Sequence, residues 1–330
     1  MSRLFAALKL LPVALLLAAC GRNDSAAPAP GAAVKVRFQT DWFPEPEHGG
    51  YYQALAKGWY AAEGLAVQIL PGGPNSGYLT AVATGRADLG MGDSDDVIAA
   101  VARGVPVKIV AAEMEHEPQG ILFHDEHPVR RVADLDGRVV MAGPASVWVQ
   151  VVQKIYGIKF QLWPLGGDLA RFMNDPQLVQ QCFVTNEPFF ARRRGARVGA
   201  LLTSQLCPEY DPYRVIFVQD DFLARHPDVV RRFVRASVRG WRDYITGDPA
   251  PAIDRLRRLR PDLPAGLFAY SLGALRDYHL VLGDPARGDR AGLLTRERLQ
   301  REIDLLRRVG VLDRPVTVDQ VATLEFVPPP

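Results

Sequence analysis

From Val34 onward the chain alternates short β-branched runs with stretches of helical periodicity, and that alternation narrows the fold more than any other feature. Residues 34–38 alternate as Val-Lys-Val-Arg-Phe and read as a strand. A helix is expected over 48–62, stopped by Gly64, then a strand over 66–70 and a turn at Pro71-Gly72-Gly73-Pro74-Asn75. A helix over 76–84, a strand over 87–91, a helix to residue 102 capped by Asp93 or Ser94, and a strand over 107–112 complete a first series. The second series places strands at 122–124, 138–141, 160–163, 182–185 and 198–202, with helices at 146–156, 168–174 and 187–194. A later strand falls at 214–218. The pattern then turns helical over 227–246, 249–258, 266–278 and 295–309, and residues 328–330 have no reason to be ordered. Strand–helix alternation of this kind builds mostly parallel sheets covered by helices. No internal repeat is visible, but roughly 300 residues exceed one small core, and two α/β series imply two similar lobes.

Residues 1–19 belong to another category. Arg3 and Lys9 open the segment, an apolar run extends to Leu17, and the small residues Ala18 and Ala19 close it, as in a secretory signal peptide. The run is too short to span a bilayer. Leu17-Ala18-Ala19-Cys20 resembles the lipobox of bacterial lipoproteins, which implies a lipidated Cys20 and a membrane anchor outside the cytoplasm. Residues 20–33, rich in Ala, Pro, Ser and Asn, read as a flexible tether.

With Cys20 lipidated, Cys182 and Cys207 remain. Neither belongs to a CxxC motif, so no zinc or redox site is expected. An oxidising compartment permits them to pair, while the apolar neighbours of Cys182 equally suit a buried thiol. The formal net charge of +2 argues against a nucleic-acid surface. Arg192–Arg194 and Arg255–Arg260 are basic clusters on helical patterns and read as solvated faces. Gly-x-Ser-x-Gly, His-Glu-x-x-His and a phosphate loop are absent, so no enzyme, metal or cofactor is expected.

Six segments carry a family likeness. Thr40-Asp41-Trp42-Phe43-Pro44, then His48 and Ala56-Lys57-Gly58-Trp59-Tyr60-Ala61-Ala62-Glu63-Gly64-Leu65, resemble the opening of NMT1/THI5-like substrate-binding proteins. Thr84-Gly85-Arg86-Ala87-Asp88-Leu89-Gly90, Asp134-Leu135-Asp136-Gly137-Arg138, Asn186-Glu187-Pro188-Phe189 and Phe222-Leu223-Ala224-Arg225-His226-Pro227 follow in order. The resemblance implies an α/β, two-lobed, type II periplasmic-binding-protein fold with a hinge cleft and a mainly helical C-terminal part. Lobe 1 is expected over 34–118 and again, with the C-terminal helices, over 214–330; lobe 2 is expected over 119–213. The family implies an extracytoplasmic protein, expected here as a monomer, that delivers a small molecule to an ABC permease and its ATPase.

In open α/β sheets the ligand sits beyond the C-terminal ends of the strands. That rule selects Asp41, Trp42, Glu45 and His48 after the first strand, and Gly72, Gly73 and Asn75 after the second. Asp93, Ser94 and Asp95 follow the third, and Glu113, Glu115 and His116 the fourth. The second series adds Ser146, Trp148, Asn186 and Glu187, with Asp211 and Tyr213 near the return crossover. The expected ligand contacts are Trp42, Glu45, His48, Asp93, Asp95, Trp148, Asn186, Glu187 and Tyr213. Carboxylates accept hydrogen bonds from amino groups and protonated ring nitrogens, and aromatic faces stack on flat rings. An anion would want Arg, Lys or free helix N-termini, and neither Lys nor Arg stands in these loops. The expectation is therefore a planar, amine-bearing heterocycle, such as the aminopyrimidine thiamine precursors bound by members of the family.

Other readings compete with these. Trp148, Val149, Val152 and Ile155 also fit an ordinary apolar helix face, and Glu187 also fits a helix first turn. A nitrate or sulfonate binder and a ligand sensor are alternatives of function. A fungal branch of the family makes a thiamine pyrimidine from a histidine and pyridoxal phosphate bound through lysine. The matching stretch here, Gly90-Met91-Gly92-Asp93-Ser94-Asp95-Asp96, has neither lysine nor histidine.

Overall fold

The computed structural model describes residues 33–326, apart from 75, 167 and 168. The signal segment, Cys20, the tether up to residue 32, Asn75, Asp168 and the 328–330 tail therefore lie outside the described residues. No helix among the described residues is long and apolar enough to cross a membrane.

Among the described residues, ten strands form two five-stranded sheets. β1 (Val34–Gln39), β2 (Leu65–Leu70), β3 (Leu89–Asp93) and β4 (Val107–Met114) belong to the first. β5 (Gln119–His124), β6 (Val139–Ala142), β7 (Gln161–Pro164), β8 (Val179–Phe183) and β9 (Val198–Leu202) make the second, and β10 (Arg214–Gln219) returns to the first. The strand orders are β2-β1-β3-β10-β4 and β7-β6-β8-β5-β9. Each sheet is parallel through its first three positions and takes an antiparallel strand at the fourth: β10 between β3 and β4, β5 between β8 and β9. In both cases that strand has just crossed from the other sheet. The two α/β series are thus alike in topology, although no sequence repeat announces it. The fold class is the expected one: α/β, two lobes of type II periplasmic-binding-protein topology.

Two chain crossings join the lobes, one between β4 and β5 and one between β9 and β10. They are tied to each other and to the C-terminal helices. His116 Nδ1 lies 2.8 Å from Asp211 Oδ1. Arg298, on the helix Arg296–Arg308, reaches Glu115 Oε2 at 3.5 Å and Asp211 Oδ2 at 3.2 Å.

The 20-residue helix Pro227–Thr246 buries Val230, Phe233, Val234, Ser237 and Trp241 at helical spacing against the first sheet and the helix Gly49–Ala56. Phe38 of β1 packs between Tyr51 and Phe233 with the rings tilted, at 4.4 and 5.0 Å between ring centroids. Two expected elements are corrected. The helix anticipated over 48–62 is a short 3-10 turn, Pro46–His48, then Gly49–Ala56 and Trp59–Ala62, broken where Gly58 takes φ +71°. The strand anticipated at 182–185 ends at Phe183, because the Glu187 carboxylate takes the Phe183 N–H at 2.7 Å and a helix opens at Glu187 with Pro188 in its first turn.

Candidate functional site

A cavity of about 220 Å³ lies at the C-terminal ends of β1 and β8. The loop after β1 supplies Asp41, Trp42, Glu45, Glu47 and His48. The second lobe supplies Gln181, Cys182 and Phe183 from β8, Asn186 and Glu187 from the helix start that follows, and Leu165 from the far side. Arg214, the first residue of β10, completes the lining. A further crevice shares Leu165, Asn186 and Glu187 and runs past Gln180 and Phe190 to Arg194.

Five expected contacts line the cavity: Trp42, Glu45, His48, Asn186 and Glu187. Trp42 is 43% exposed, so its ring is not committed to the core; it meets Phe43 edge-on at 5.6 Å between centroids. His48 accepts the Glu45 backbone N–H on Nδ1 at 3.3 Å, which places the ring proton on Nε2, 3.3 Å from Asp41 Oδ1.

The other four expected contacts lie outside the lining. Asp93, one of the two expected helix caps, stands at the N-cap position, but its side chain makes no capping bond and instead receives Arg214 Nη1 at 2.7 Å. Asp95 is buried and accepts from the Tyr210 hydroxyl at 2.7 Å. Tyr213 is buried in the wall between crossing and C-terminal helix, with the Arg298 guanidinium 3.7 Å from its ring centroid. Trp148 is fully buried, and its indole N–H donates to Gln181 Oε1 at 2.9 Å.

Arg214 corrects the expectation of a site without basic side chains. Its side chain is 3% exposed and bridges Asp41 and Asp93, each at 2.7 Å, with Glu117 at 3.8 Å. Burial would lower its pKa, but the carboxylates outweigh burial and raise it well above the usual value. Burial would likewise raise Asp41, yet Arg214 and His48 hold it well below the ordinary carboxylate range. This part of the floor is a neutralised ion cluster rather than a free cation.

The carboxylates on the other wall behave differently. Burial lifts Glu187 to about 7, only partly offset by the bond from Phe183 N–H. Burial, then the neighbouring Glu47, raise Glu45 well above its usual value, against the pull of Arg260 at 3.9 Å. Arg260 departs from the solvated face expected of its cluster: its guanidinium lies 5.5 Å from the Phe43 ring centroid and beside this carboxylate. Two hydrogen bonds cross between lobes here: Asn186 Nδ2 donates to Glu45 Oε2 at 2.8 Å, and Thr185 Oγ1 to Glu47 Oε1 at 2.5 Å. The arrangement offers an acidic chamber beside a half-exposed indole. Cys182 and Cys207 are both free and buried, and burial pushes both thiols up. No cluster of His, Cys, Asp and Glu suited to a metal is found among the described residues.

The family model described as "NMT1/THI5 like" matches residues 45–252. The chain belongs to the NMT1/THI5-like family. Riboflavin-binding protein RibY of Chloroflexus aurantiacus is 26% identical over 96% of this chain and 95% of its own length. A formylaminopyrimidine-binding protein of Halalkalibacterium halodurans is 25% identical over 76% of this NMT1/THI5-like chain and 78% of its own. A 4-amino-5-hydroxymethyl-2-methylpyrimidine phosphate synthase of Saccharomyces cerevisiae is 24% identical over 74% and 79%. The chain is thus similar to both binding proteins and synthases. In fold, the chain is similar to the periplasmic aliphatic sulphonate binding protein SsuA of Escherichia coli, with a TM-score of 0.66 at 16% identity, covering 88% of this chain and 96% of that one. The fold is that of periplasmic solute-binding proteins of ABC importers.

Proposed function

We propose that this protein is the extracytoplasmic solute-binding component of an ABC importer, and that it captures a planar nitrogenous heterocycle of the aminopyrimidine type between its lobes. The observation that carries the reading is the chemistry of the chamber. Glu45, Glu47 and Glu187 face it beside Trp42, while the guanidinium in its lining is already bridged to Asp41 and Asp93. Amino groups and protonated ring nitrogens satisfy such acceptors, and the indole face stacks on the ring. The names of the two binding-protein relatives point to ring ligands as well. In this reading the lobes divide at 118/119 and 213/214, Cys20 carries the lipid that holds the monomer outside the membrane, and a permease with its ATPase receives the ligand. The protein is not an enzyme: the strand end matching the synthase branch presents Asp93, Ser94 and Asp95 in place of lysine and histidine.

An anion binder is the second reading, favoured by Arg214 alone. A thermal-shift screen of the purified protein separates the two, because a ligand that binds only the folded state raises the unfolding midpoint. Aminopyrimidines, cytosine-like rings or riboflavin are expected to raise it, and taurine and nitrate to leave it unchanged. A response to taurine or nitrate alone overturns the heterocycle reading.

A further inference from the structure

Gln181 stands in the cavity wall with one end of its amide completely engaged. Its Oε1 receives the Trp148 indole N–H at 2.9 Å, the Ser146 hydroxyl at 2.9 Å and the Gly143 backbone N–H at 3.4 Å. An indole N–H and a backbone N–H can only donate. The atom facing them must therefore be the amide oxygen, and the orientation of the amide, ordinarily ambiguous, is settled by chemistry. The NH2 end then faces away from these donors, and no protein group among the described residues accepts from it. Each carboxylate and the imidazole of the lining make at least one hydrogen bond or ion pair within the protein, although Glu47 Oε2 and Arg214 Nε stay without a hydrogen-bond partner; Gln181 is the lining amide whose acceptor end is engaged while its donor end is open.

Resting on the heterocycle reading above, we propose that Gln181 is the specificity-determining donor of the cleft, reading a hydrogen-bond acceptor on the ligand ring, and that Trp148 and Ser146 are positioning residues that hold its amide. The chamber then presents a donor from Gln181 and acceptors from Glu187 and Glu45. A ring edge with the reverse pattern, a carbonyl or imine-type nitrogen beside an amino group, pairs with both. A ring without an acceptor leaves the Gln181 NH2 unpaired and is disfavoured, because the bound ring shields this half-buried donor from water without replacing the lost hydrogen bond. The ligand class narrows accordingly, from any amine-bearing ring to rings of the amino-oxo or amino-imine kind.

The test uses two six-membered rings, cytosine, which offers a carbonyl and an imine-type nitrogen beside its amino group, and 1,3-diaminobenzene, which offers amino groups without a ring acceptor. Their affinities are measured by calorimetry at pH 8 on the wild-type protein and on Gln181→Glu, which keeps the acceptor for Trp148 and Ser146 but turns the inward donor into an acceptor. The wild type is expected to prefer cytosine, and Gln181→Glu to shift the cytosine-to-diaminobenzene ratio toward the diamino ring by about tenfold or more. Trp148→Phe, which frees the amide to turn, is expected to relax the ratio by about threefold with the ring pocket still able to bind. Should Gln181→Glu fail to fold, judged by its unliganded unfolding transition, Gln181→Met removes the donor without a charge and is expected to abolish the preference. An unchanged ratio in the folded variant overturns the assignment to Gln181 and leaves the heterocycle reading standing. No binding of either ring to the wild type overturns both.

Discussion

Arg214 holds together carboxylates that would otherwise repel one another in a buried place. Removing its charge by Arg214→Met strands Asp41, Asp93 and Glu117 without their counter-ion. Breaking a buried ion cluster in this way costs about 3–5 kcal/mol, so the urea midpoint is expected to fall strongly even without ligand. Glu187 gives a pH test. Burial lifts it from 4.5 to about 7, so the folded chain holds this proton more tightly than the unfolded chain does. Unfolding then releases a proton between those values, and stability falls as pH rises from about 4.5 to about 7. Glu115 and Glu302, raised by burial to about 8, extend the slope upward. Glu187→Gln is expected to gain stability over the wild type progressively across pH 4.5 to 7 and to hold that gain above it; a difference independent of pH, in parallel urea titrations, would contradict the assignment. At this scale the sequence shows the loop after β1 and the start of the helix Glu187–Arg193 clearly. Arg214 escapes a search confined to loops, because it is a strand residue; its signal is a lone charge heading the apolar run Val215-Ile216-Phe217-Val218. Gln181 escapes for a related reason: its partners Ser146 and Trp148 are far away in sequence, and only packing shows that both donate to its amide oxygen.

The helix Gly49–Ala56 starts immediately after His48, so its seat on the helix Pro227–Thr246 sets where the imidazole stands. The two helices touch through glycine. A Cβ on Gly240 would lie 2.2 Å from the Gly50 carbonyl oxygen and 2.8 Å from Ala54 Cβ. Gly240→Ala must push the helices apart, at about 1–3 kcal/mol. Both the thermal midpoint and ligand affinity are expected to drop, since the shift carries His48 and Glu47 with it; a fall in the midpoint with affinity preserved would uncouple helix seat from site. Of the elements themselves, the long helices are the most legible, since apolar residues recur in them at helical spacing over many turns. The helix Pro227–Thr246 occupies the residues its pattern predicts. β8 is legible in kind but not in place: Val184 continues the apolar run in sequence, while the strand runs Val179–Phe183, ending two residues before the anticipated 185 where the Glu187 carboxylate takes the Phe183 N–H.

Across the whole molecule the two lobes meet at the chamber through Thr185 with Glu47 and Asn186 with Glu45. Each bond is expected to favour the closed arrangement. Thr185→Val and Asn186→Ala should each weaken ligand binding by about threefold to tenfold and, combined, enlarge the radius of gyration measured by small-angle scattering without ligand. Equal radii and equal affinities would remove these pairs from closure. The two-lobed class is readable from the alternation of strands and helices, and its pairing is not. Nothing in the local pattern of 214–219 says that this strand enters between β3 and β4, because that position is decided by the hydrogen-bonding partners left open by the others. The order of assembly follows from this. A chain emerging from its amino end can complete the sheet of β5 to β9 as an uninterrupted piece, but its first sheet must wait, with β3 and β4 unjoined, until residue 219 has arrived. Asp41 and Asp93 meet their counter-ion only then. Binding competence is therefore a late event in the life of the chain, and any truncation before β10 yields one lobe able to form its own sheet and one that lacks its central strand.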